Sequence, residues 1–176
     1  MATEPQIFIR PLRDEDFPLF CRWLDKEYIY TRFCPNGEHE RKAWLDEVAD
    51  KEGKYGYITH FIIYYGERKI GYCFYADSFF IRVFEEGEYT AEMQYEDFTE
   101  PNHTYEIGYL IGEEEFLNRG ICKTVIGLLE DKIRELGGRE IAADPSEENI
   151  FSVKALLSRG FTKKGDEDYR KIIPKL

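Results

Sequence analysis

The sequence predicts a mixed α/β (α+β) fold, because segments with helical apolar spacing alternate with short β-rich runs along its 176 residues. Two β-rich runs, 58–65 and 70–75, flank a short polar link that contains Gly66, and this arrangement predicts a β-hairpin. Further on, a strand passes through a glycine turn into a helix. No repeat or linker divides the chain, so we expect a single domain over residues 1–176.

Four helices and five further strands complete the predicted order of elements. The helices are expected at residues 15–26, 38–51, 120–136 and 148–159, with Gly137 and Gly138 ending the third helix. The further strands are expected at residues 7–12, 104–112, 139–143, around Phe161 and at 169–173. Residues 77–101 break this rhythm as an insertion in which eight acidic residues and one arginine are interleaved with aromatics.

Composition restricts the possible partners. The net charge of -11 argues against sequence-independent nucleic-acid binding and suits a cationic small molecule or peptide. No apolar run is long enough for a membrane span, and the first residues lack a signal-peptide pattern, so a cytoplasmic protein is expected. The four cysteines and three histidines show no spacing typical of a metal site, so no metal is expected. The chain could be a monomer or a homodimer.

The segment from Phe116 to Thr124 predicts an anion site. A helix that begins after a glycine turn leaves several backbone N–H groups unpaired, and the positive end of its dipole lies at the same place. Arg119 and Lys123 add positive charge there, in a protein that is otherwise acidic. The segment is therefore a candidate site for a phosphate or a pyrophosphate. An ordinary strand–helix connection with exposed basic residues is the structural alternative.

A second motif follows about thirty residues later, with Asp144-Pro145-Ser146, then Asn149, Ser152 and a helix that ends in Gly160-Phe161. With both motifs in place, nearly the whole chain resembles the GCN5-related N-acetyltransferase (GNAT) superfamily. Its aminoglycoside 6'-N-acetyltransferase branch is the most similar, and ribosomal-protein and siderophore acetyltransferases compete closely. The resemblance implies a mixed, mostly antiparallel, twisted sheet of six to seven strands with helices on both faces.

The resemblance also implies acetyl-CoA as the co-substrate and assigns residues to it. Main-chain groups of Leu110 and Ile111 would contact the pantetheine arm and polarise the thioester carbonyl. Asn149, with Ser152 in the same motif, would hydrogen-bond the pantetheine amides, although Asn149 could instead only cap its helix. The pyrophosphate would be held by the residues of the turn and the first helical turn, namely Asn118, Arg119, Gly120, Ile121, Cys122, Lys123 and Thr124.

The chain departs from the family pattern at three positions. Leu117 stands where the turn usually starts with arginine or glutamine, and Cys122 replaces a smaller residue. Leu156 occupies the helix position at which many members carry a tyrosine close to the CoA sulfur. Leucine cannot donate a proton, so water or another group must act as the general acid for the departing thiolate.

Glu106 is the candidate general base. Period-two geometry places Glu106, Gly108 and Leu110 on one face of their strand. An ammonium group with a pKa near 10.4 is neutral at pH 7 in only about one molecule in 10³, and a carboxylate that accepts its proton would help amide formation. The structural alternative is a glutamate that faces solvent or other protein groups.

The acceptor is expected to be a small cationic amine or a peptide. Asp144 follows the fifth strand, where it could meet that acceptor or could form an Asx turn before Pro145. Glu85 and Glu86, in the acidic insertion, could extend an anionic wall, or the insertion could be a plain solvated loop. The expected activity is acetyl transfer to a primary amine, such as that of an aminoglycoside, a protein N-terminus or a siderophore. A non-catalytic CoA-binding regulatory domain is the other possibility.

Overall fold

Seven strands form one sheet in the order β1-β2-β3-β4-β5-β7-β6 in a computed structural model that describes residues 3–85 and 100–176. All neighbouring strands are antiparallel except β4 and β5. The predicted class of fold and its mostly antiparallel sheet are confirmed. The strands are β1 (Ile7–Pro11), β2 (Ile58–Tyr65), β3 (Arg68–Asp77), β4 (Thr104–Ile111), β5 (Glu140–Ala143), β6 (Thr162–Gly165) and β7 (Asp168–Ile172).

Six α-helices accompany this sheet in the described residues: α1 (Phe17–Leu24), α2 (Glu27–Phe33), α3 (Glu38–Ala49), α4 (Ser78–Glu85), α5 (Ile121–Glu135) and α6 (Ile150–Ser158). Two short 3₁₀ helices precede α1 and α5. No helix in these two ranges is both long enough and apolar enough to cross a membrane.

Two hydrophobic clusters cover the two faces of the sheet. One contains the inner side of α5, with Val125, Ile126 and Leu129 among its fully buried residues. The other contains Phe20 and Trp23 of α1 together with Val48 of α3. Side chains of β4 alternate between the clusters: Tyr105, Ile107 and Ile111 belong to the first, and Leu110 belongs to the second. This alternation confirms the face assignment expected from the period of two.

The pairing of β4 with β5 covers only part of β4. Thr104–Glu106 pair in parallel with Glu140–Ala142, and β5 ends one residue later. Strand β4 continues to Ile111, still paired with β3 on its other side. The sheet described therefore opens beside residues 107–111, and a gap separates this part of β4 from the end of β5.

The first helical region differs from the prediction. The sequence predicts one helix over residues 15–26, whereas the chain forms α1, an extended residue at Lys26 (φ -69°, ψ 129°) and then α2. The ammonium of Lys26 donates to the carbonyl of Gly112 (2.6 Å), at the end of β4. This contact joins residues 86 positions apart, which is why helical periodicity does not reveal the break.

The insertion predicted at residues 77–101 is described only at its ends. Asp77 ends β3, and α4 follows it as a helix that the sequence analysis did not predict. The carboxylate of Asp77 accepts hydrogen bonds from the N–H groups of Phe79 (3.0 Å) and Asn102 (2.7 Å). Asp77 thus joins the two ends of the insertion, and residues 86–99 lie outside the described residues.

A buried carboxylate connects α5 with the last helix and the last long strand. Glu130 of α5 is only 2% exposed and accepts hydrogen bonds from Arg159 (2.7 Å), just after α6, and from Lys171 of β7 (2.9 Å). A buried carboxylate needs such partners because its desolvation is costly. The three charges therefore hold α5, α6 and β7 in a fixed arrangement.

We predict that Glu130→Gln lowers the free energy of unfolding by roughly 2–4 kcal/mol, because two cations lose the carboxylate that compensates them. Urea denaturation followed by circular dichroism measures the change. Asp131→Asn is the matched control. Asp131 is the adjacent residue and pairs with Arg134 at the surface, so its loss should cost less than about 1 kcal/mol. Equal destabilisation by the two variants would contradict the structural role of Glu130.

Candidate functional site

The turn before α5 has the backbone geometry expected for an anion site. Asn118 (φ 61°) and Gly120 (φ 74°) both adopt left-handed conformations, which asparagine and glycine tolerate best. Gly120 is the N-cap residue of α5, and no side chain caps this helix end. A Cβ atom at Gly120 would meet no heavy atom within 4 Å. The first N–H groups of α5 thus face a space large enough for a ligand, and the turn fits a phosphate group.

Basic side chains surround this turn. Arg119 and Lys123 are both exposed, and the guanidinium carbon of Arg119 lies 5.2 Å from the centroid of the Phe116 ring. Cation–π contact with a buried aromatic restrains Arg119 beside the turn. Positive side-chain charge and the positive end of the α5 dipole therefore coincide.

A cavity of about 460 Å³ extends from this turn along the end of β4. Its walls come from four parts of the chain: α2, the end of β4, the turn with the start of α5, and α6. The lining residues that the sequence analysis assigned to CoA are Leu110, Ile111, Asn118, Arg119, Gly120, Ile121, Cys122, Lys123, Asn149 and Ser152. Thr124 is exposed and is not among the lining residues.

Every second residue of β4 directs its main-chain N–H and C=O groups away from β3. Gly112 N–H donates to the carbonyl of Ile70 (2.7 Å), and the strand register pairs Leu110 with Tyr72. In an antiparallel ladder, alternate residues direct both main-chain groups toward the same neighbour. Leu110 therefore directs its N–H and C=O groups to β3, whereas Tyr109 and Ile111 direct theirs into the gap beside β5. The sequence analysis assigned Leu110 and Ile111 to the thioester carbonyl, and of these two residues Ile111 is the one whose main-chain N–H points into the gap.

Side chains of α1 and α2 hold the end of β4 in place. The Tyr28 hydroxyl donates to the carbonyl of Ile111 (3.0 Å), and the indole N–H of Trp23 donates to Glu113 (2.9 Å). Together with the bond between Lys26 and Gly112, these contacts fix the strand where it enters the cavity. Sequence reasoning missed Tyr28 and Arg32, which also lines the cavity, because only tertiary structure brings α2 to this strand.

The start of α6 forms the opposite wall. Asn149 is the N-cap residue, and its side-chain oxygen accepts the N–H of Ser152 (3.4 Å), so the capping role considered for Asn149 is present. The hydroxyl of Ser152 lies 2.7 Å from the hydroxyl of Tyr109 on β4. Sequence reasoning also missed Tyr109, Phe151 and Lys154, which line the cavity.

A smaller cavity of about 150 Å³ lies where β4 and β5 separate. Four carboxylate residues, Glu106, Asp144, Glu167 and Asp168, line it together with Arg170, which donates to Asp168 (3.0 Å). Burial by protein atoms, with the negative charges of Glu167 and Asp168, raises the pKa of Asp144 to about 6, although part of this residue is open to solvent. The cavity is thus an anionic environment that suits a cation.

The structure brings together two of the four acidic residues that the sequence analysis assigned to the base or to the acceptor. Glu106 and Asp144 share the smaller cavity. Glu85 is the last residue of α4, and Glu86 lies outside the described residues. Within residues 3–85 and 100–176, no group of three or more His, Cys, Asp or Glu residues is arranged to hold a metal ion.

Two of the departures from the family pattern, Cys122 and Leu156, add no reactive group to the site. Burial raises the pKa of the Cys122 thiol to about 11, so this cysteine remains a neutral thiol at pH 7 and is a poor nucleophile. Leu156 is fully buried in the cluster around α5. Cys122 is therefore a poor candidate for carrying a covalent acetyl intermediate.

Three solved structures illustrate the similarity of fold. Aminoglycoside acetyltransferase AAC(6')-Ib in complex with coenzyme A and kanamycin has a TM-score of 0.72 at 16% identity, over 95% of each chain. The aminoglycoside N(6')acetyltransferase of Legionella pneumophila has a TM-score of 0.69 at 12% identity, over 97% of this chain and 94% of that one. A domain from Methanocaldococcus jannaschii has a TM-score of 0.69 at 23% identity, over 97% and 100%.

These identities are low, so the likenesses establish a common fold. Family membership rests on a different comparison, in which the family model for the acetyltransferase (GNAT) domain matches residues 6–162. That match spans the turn before α5, the gap beside β4 and the start of α6. The chain therefore belongs to the GNAT family and is an N-acetyltransferase whose acyl donor is acetyl-CoA.

Proposed function

We propose that this enzyme transfers an acetyl group directly from acetyl-CoA to a primary amine of a small cationic acceptor of the aminoglycoside type. One observation carries the proposal: β4 borders two cavities, of which one is lined by the end of this strand and an uncapped helix N-terminus, and the other, at Glu106, is lined by carboxylates. The first cavity suits an anionic carrier, and the second suits a cationic amine. The acceptors in similar structures, kanamycin among them, agree with this division.

The cofactor residues would act mainly through backbone groups. The N–H groups at the start of α5 would bind the pyrophosphate, with Arg119 and Lys123 as counter-charges. Ile111 would offer main-chain groups to the pantetheine arm and the thioester carbonyl. Asn149 would use its amide on the same arm while its oxygen caps α6.

Glu106 would act as the general base. It is half-buried, lines the anionic cavity, and lies at the last pair before β4 and β5 separate. A carboxylate at this point can take a proton from an amine that reaches the gap, directly or through water. Arg170, the basic residue lining the same cavity, also donates to Glu140 of β5 (3.0 Å), which restrains it.

We predict that Gly120→Ala weakens CoA binding about tenfold, because a methyl group would occupy the space through which a phosphate approaches the backbone. Gly137→Ala is the matched control. Gly137 has a similar φ of 88° at the other end of α5, and its nearest neighbour to an added Cβ is 3.6 Å away. Both variants should lose similar stability, and isothermal titration calorimetry with CoA should separate them. Equal CoA affinities would contradict the assignment of the turn.

The test of the activity is a thiol-release assay with acetyl-CoA and a panel of aminoglycosides, polyamines and peptides. We predict turnover with a cationic amine, and a loss of about 10²–10⁴-fold in kcat for Glu106→Gln at pH 7 with CoA affinity unchanged. The loss should shrink as pH rises toward the pKa of the amine, because the free amine then forms without a base.

Three results would count against the proposal. An unchanged rate in Glu106→Gln would remove Glu106 from the chemistry. Binding of CoA without thiol release for any amine would instead indicate a non-catalytic CoA-binding domain. A clear preference for peptides would place the acceptor among protein N-termini.

We predict that KM for a cationic acceptor rises as pH falls through about 6. Asp144 is ionised above this pKa and neutral below it, so acidification removes a negative charge from the acceptor cavity. Asp144→Asn should give a KM that is high and nearly constant between pH 5 and 7. Initial-rate measurements at several pH values test this, and parallel pH profiles of KM in the two proteins would contradict it.

A further inference from the structure

The departing sulfur needs stabilisation that Leu156 cannot provide. When the amine attacks the acetyl carbon, the electron pair of the C–S bond stays on sulfur. A thiol has a pKa near 8.5, so the thiolate can leave unaided, but a hydrogen-bond donor at this point would lower the barrier. Leu156, at the position where the resemblance would place a tyrosine, has no such donor.

Tyr109 lies on the route between the phosphate turn and Glu106. Along β4, Ile111 is nearest the turn, Glu106 lies at the last pair with β5, and Tyr109 lies between them, about 10 Å from Glu106 along the strand. Tyr109 also lines the larger cavity. Any thioester held by the turn at one end and delivered toward Glu106 at the other must pass this residue.

The hydroxyl of Tyr109 is held at the cavity wall. Its hydrogen bond to Ser152 (2.7 Å) joins β4 to the first turn of α6, across the place where the sheet opens. Ser152 is buried, and its own N–H is engaged by Asn149. Either hydroxyl can donate in this pair. When Ser152 donates to the phenol oxygen, the phenol keeps its single proton for another acceptor and its ring keeps its place, and such pre-organisation is what a donor to developing charge requires.

Tyr109 and Glu106 project from opposite faces of β4. They are three residues apart, and the packing of their neighbours confirms the alternation, since Ile107 and Leu110 belong to different clusters. The amine would approach from the carboxylate side, and the sulfur would leave on the side of α5 and α6. The proposed base and the proposed leaving-group donor thus stand on opposite faces of the sheet, beside the gap between β4 and β5.

We propose, on the basis of the function proposed above, that the Tyr109 hydroxyl donates a hydrogen bond to the departing thiolate and replaces the absent tyrosine of α6. The new bond joins the amine nitrogen to the acetyl carbon, and the C–S bond breaks. Glu106 takes one proton from the ammonium before attack and passes it to solvent, and the second proton that the nitrogen loses on forming the amide leaves by the same route. The sulfur leaves as a thiolate held by the phenol, and it later takes a proton from solvent.

Tyr109 acts as a hydrogen-bond donor that keeps its proton. Burial raises the pKa of this phenol well above its usual value near 10. A phenol with such a raised pKa stays protonated at neutral pH, and it is a weaker acid than the CoA thiol. The proton therefore remains on oxygen, and the benefit comes from the hydrogen bond to developing charge.

The experiment compares Tyr109→Phe with Tyr105→Phe. Tyr105 is on the same strand and the same face, and its hydroxyl donates to Asn102 (2.5 Å) away from the larger cavity. The first readout is the pKa of the thiol of bound CoA, followed by thiolate absorbance in the ultraviolet. In Tyr109→Phe this pKa should rise by about one unit, the size expected for loss of a charge-assisted hydrogen bond. It should stay at the wild-type value in Tyr105→Phe.

The second readout is steady-state kinetics. We expect kcat to fall about 10- to 100-fold in Tyr109→Phe with KM for acetyl-CoA unchanged, and to stay near wild type in Tyr105→Phe. Ser152→Ala, which keeps the phenol but removes its partner, should lower kcat less than Tyr109→Phe does. A third readout, the affinity for CoA relative to desulfo-CoA, should fall only in Tyr109→Phe.

The outcomes separate this inference from the proposed function. If the wild type binds CoA and turns over but Tyr109→Phe keeps both the thiol pKa and kcat of the wild type, only the role of Tyr109 is overturned. Equal losses in Tyr109→Phe and Ser152→Ala, with no change in the thiol pKa, would make the pair structural and also overturn it. If the wild type binds no CoA, the proposed function fails, and this inference fails with it.

Discussion

The short parallel pairing between β4 and β5 leaves one side of residues 107–111 uncovered in the described sheet, and the larger cavity lies along this part of β4. Three residues of each strand pair, and β4 then continues for five residues beside a gap. Main-chain groups that point into a gap must find partners, because unpaired backbone is costly when it is buried. Tyr28 satisfies one of these groups, the carbonyl of Ile111. The others point into the gap, where we propose that they bind the extended arm of acetyl-CoA almost as a strand edge binds a further strand.

Two sets of side-chain contacts fix the helices and strands on either side of this gap. On one side, Trp23, Lys26 and Tyr28 attach α1 and α2 to the end of β4. On the other side, Glu130 and its two cations attach α6 and β7 to α5. Both sets join segments that are far apart in the sequence. They hold α5 and α6 in a fixed arrangement beside the end of β4, which the anion site proposed at the start of α5 requires.

Charge is divided sharply between the two ends of the site. The turn before α5 carries Arg119 and Lys123, while the smaller cavity is lined by four carboxylate residues. The whole chain has a net charge of -11. A strongly anionic surface attracts cations over a distance set by the salt concentration, whereas an anionic cofactor is held by local backbone and basic groups. In the proposed function, the two substrates therefore bind at separate places and do not compete for one site.

Local sequence was enough to predict the class of fold, the β2–β3 hairpin, the glycine turn before α5 and the family, since each depends on residues that are close in the chain. Gly120 is required by a positive φ, and the alternation on β4 follows from its period of two. Tertiary structure decided the rest. The break at Lys26, the contact of Tyr28 with Ile111 and the pairing of Tyr109 with Ser152 each join distant segments. Periodicity carries no information about such contacts, because they arise only when separate hydrophobic faces pack on the same sheet.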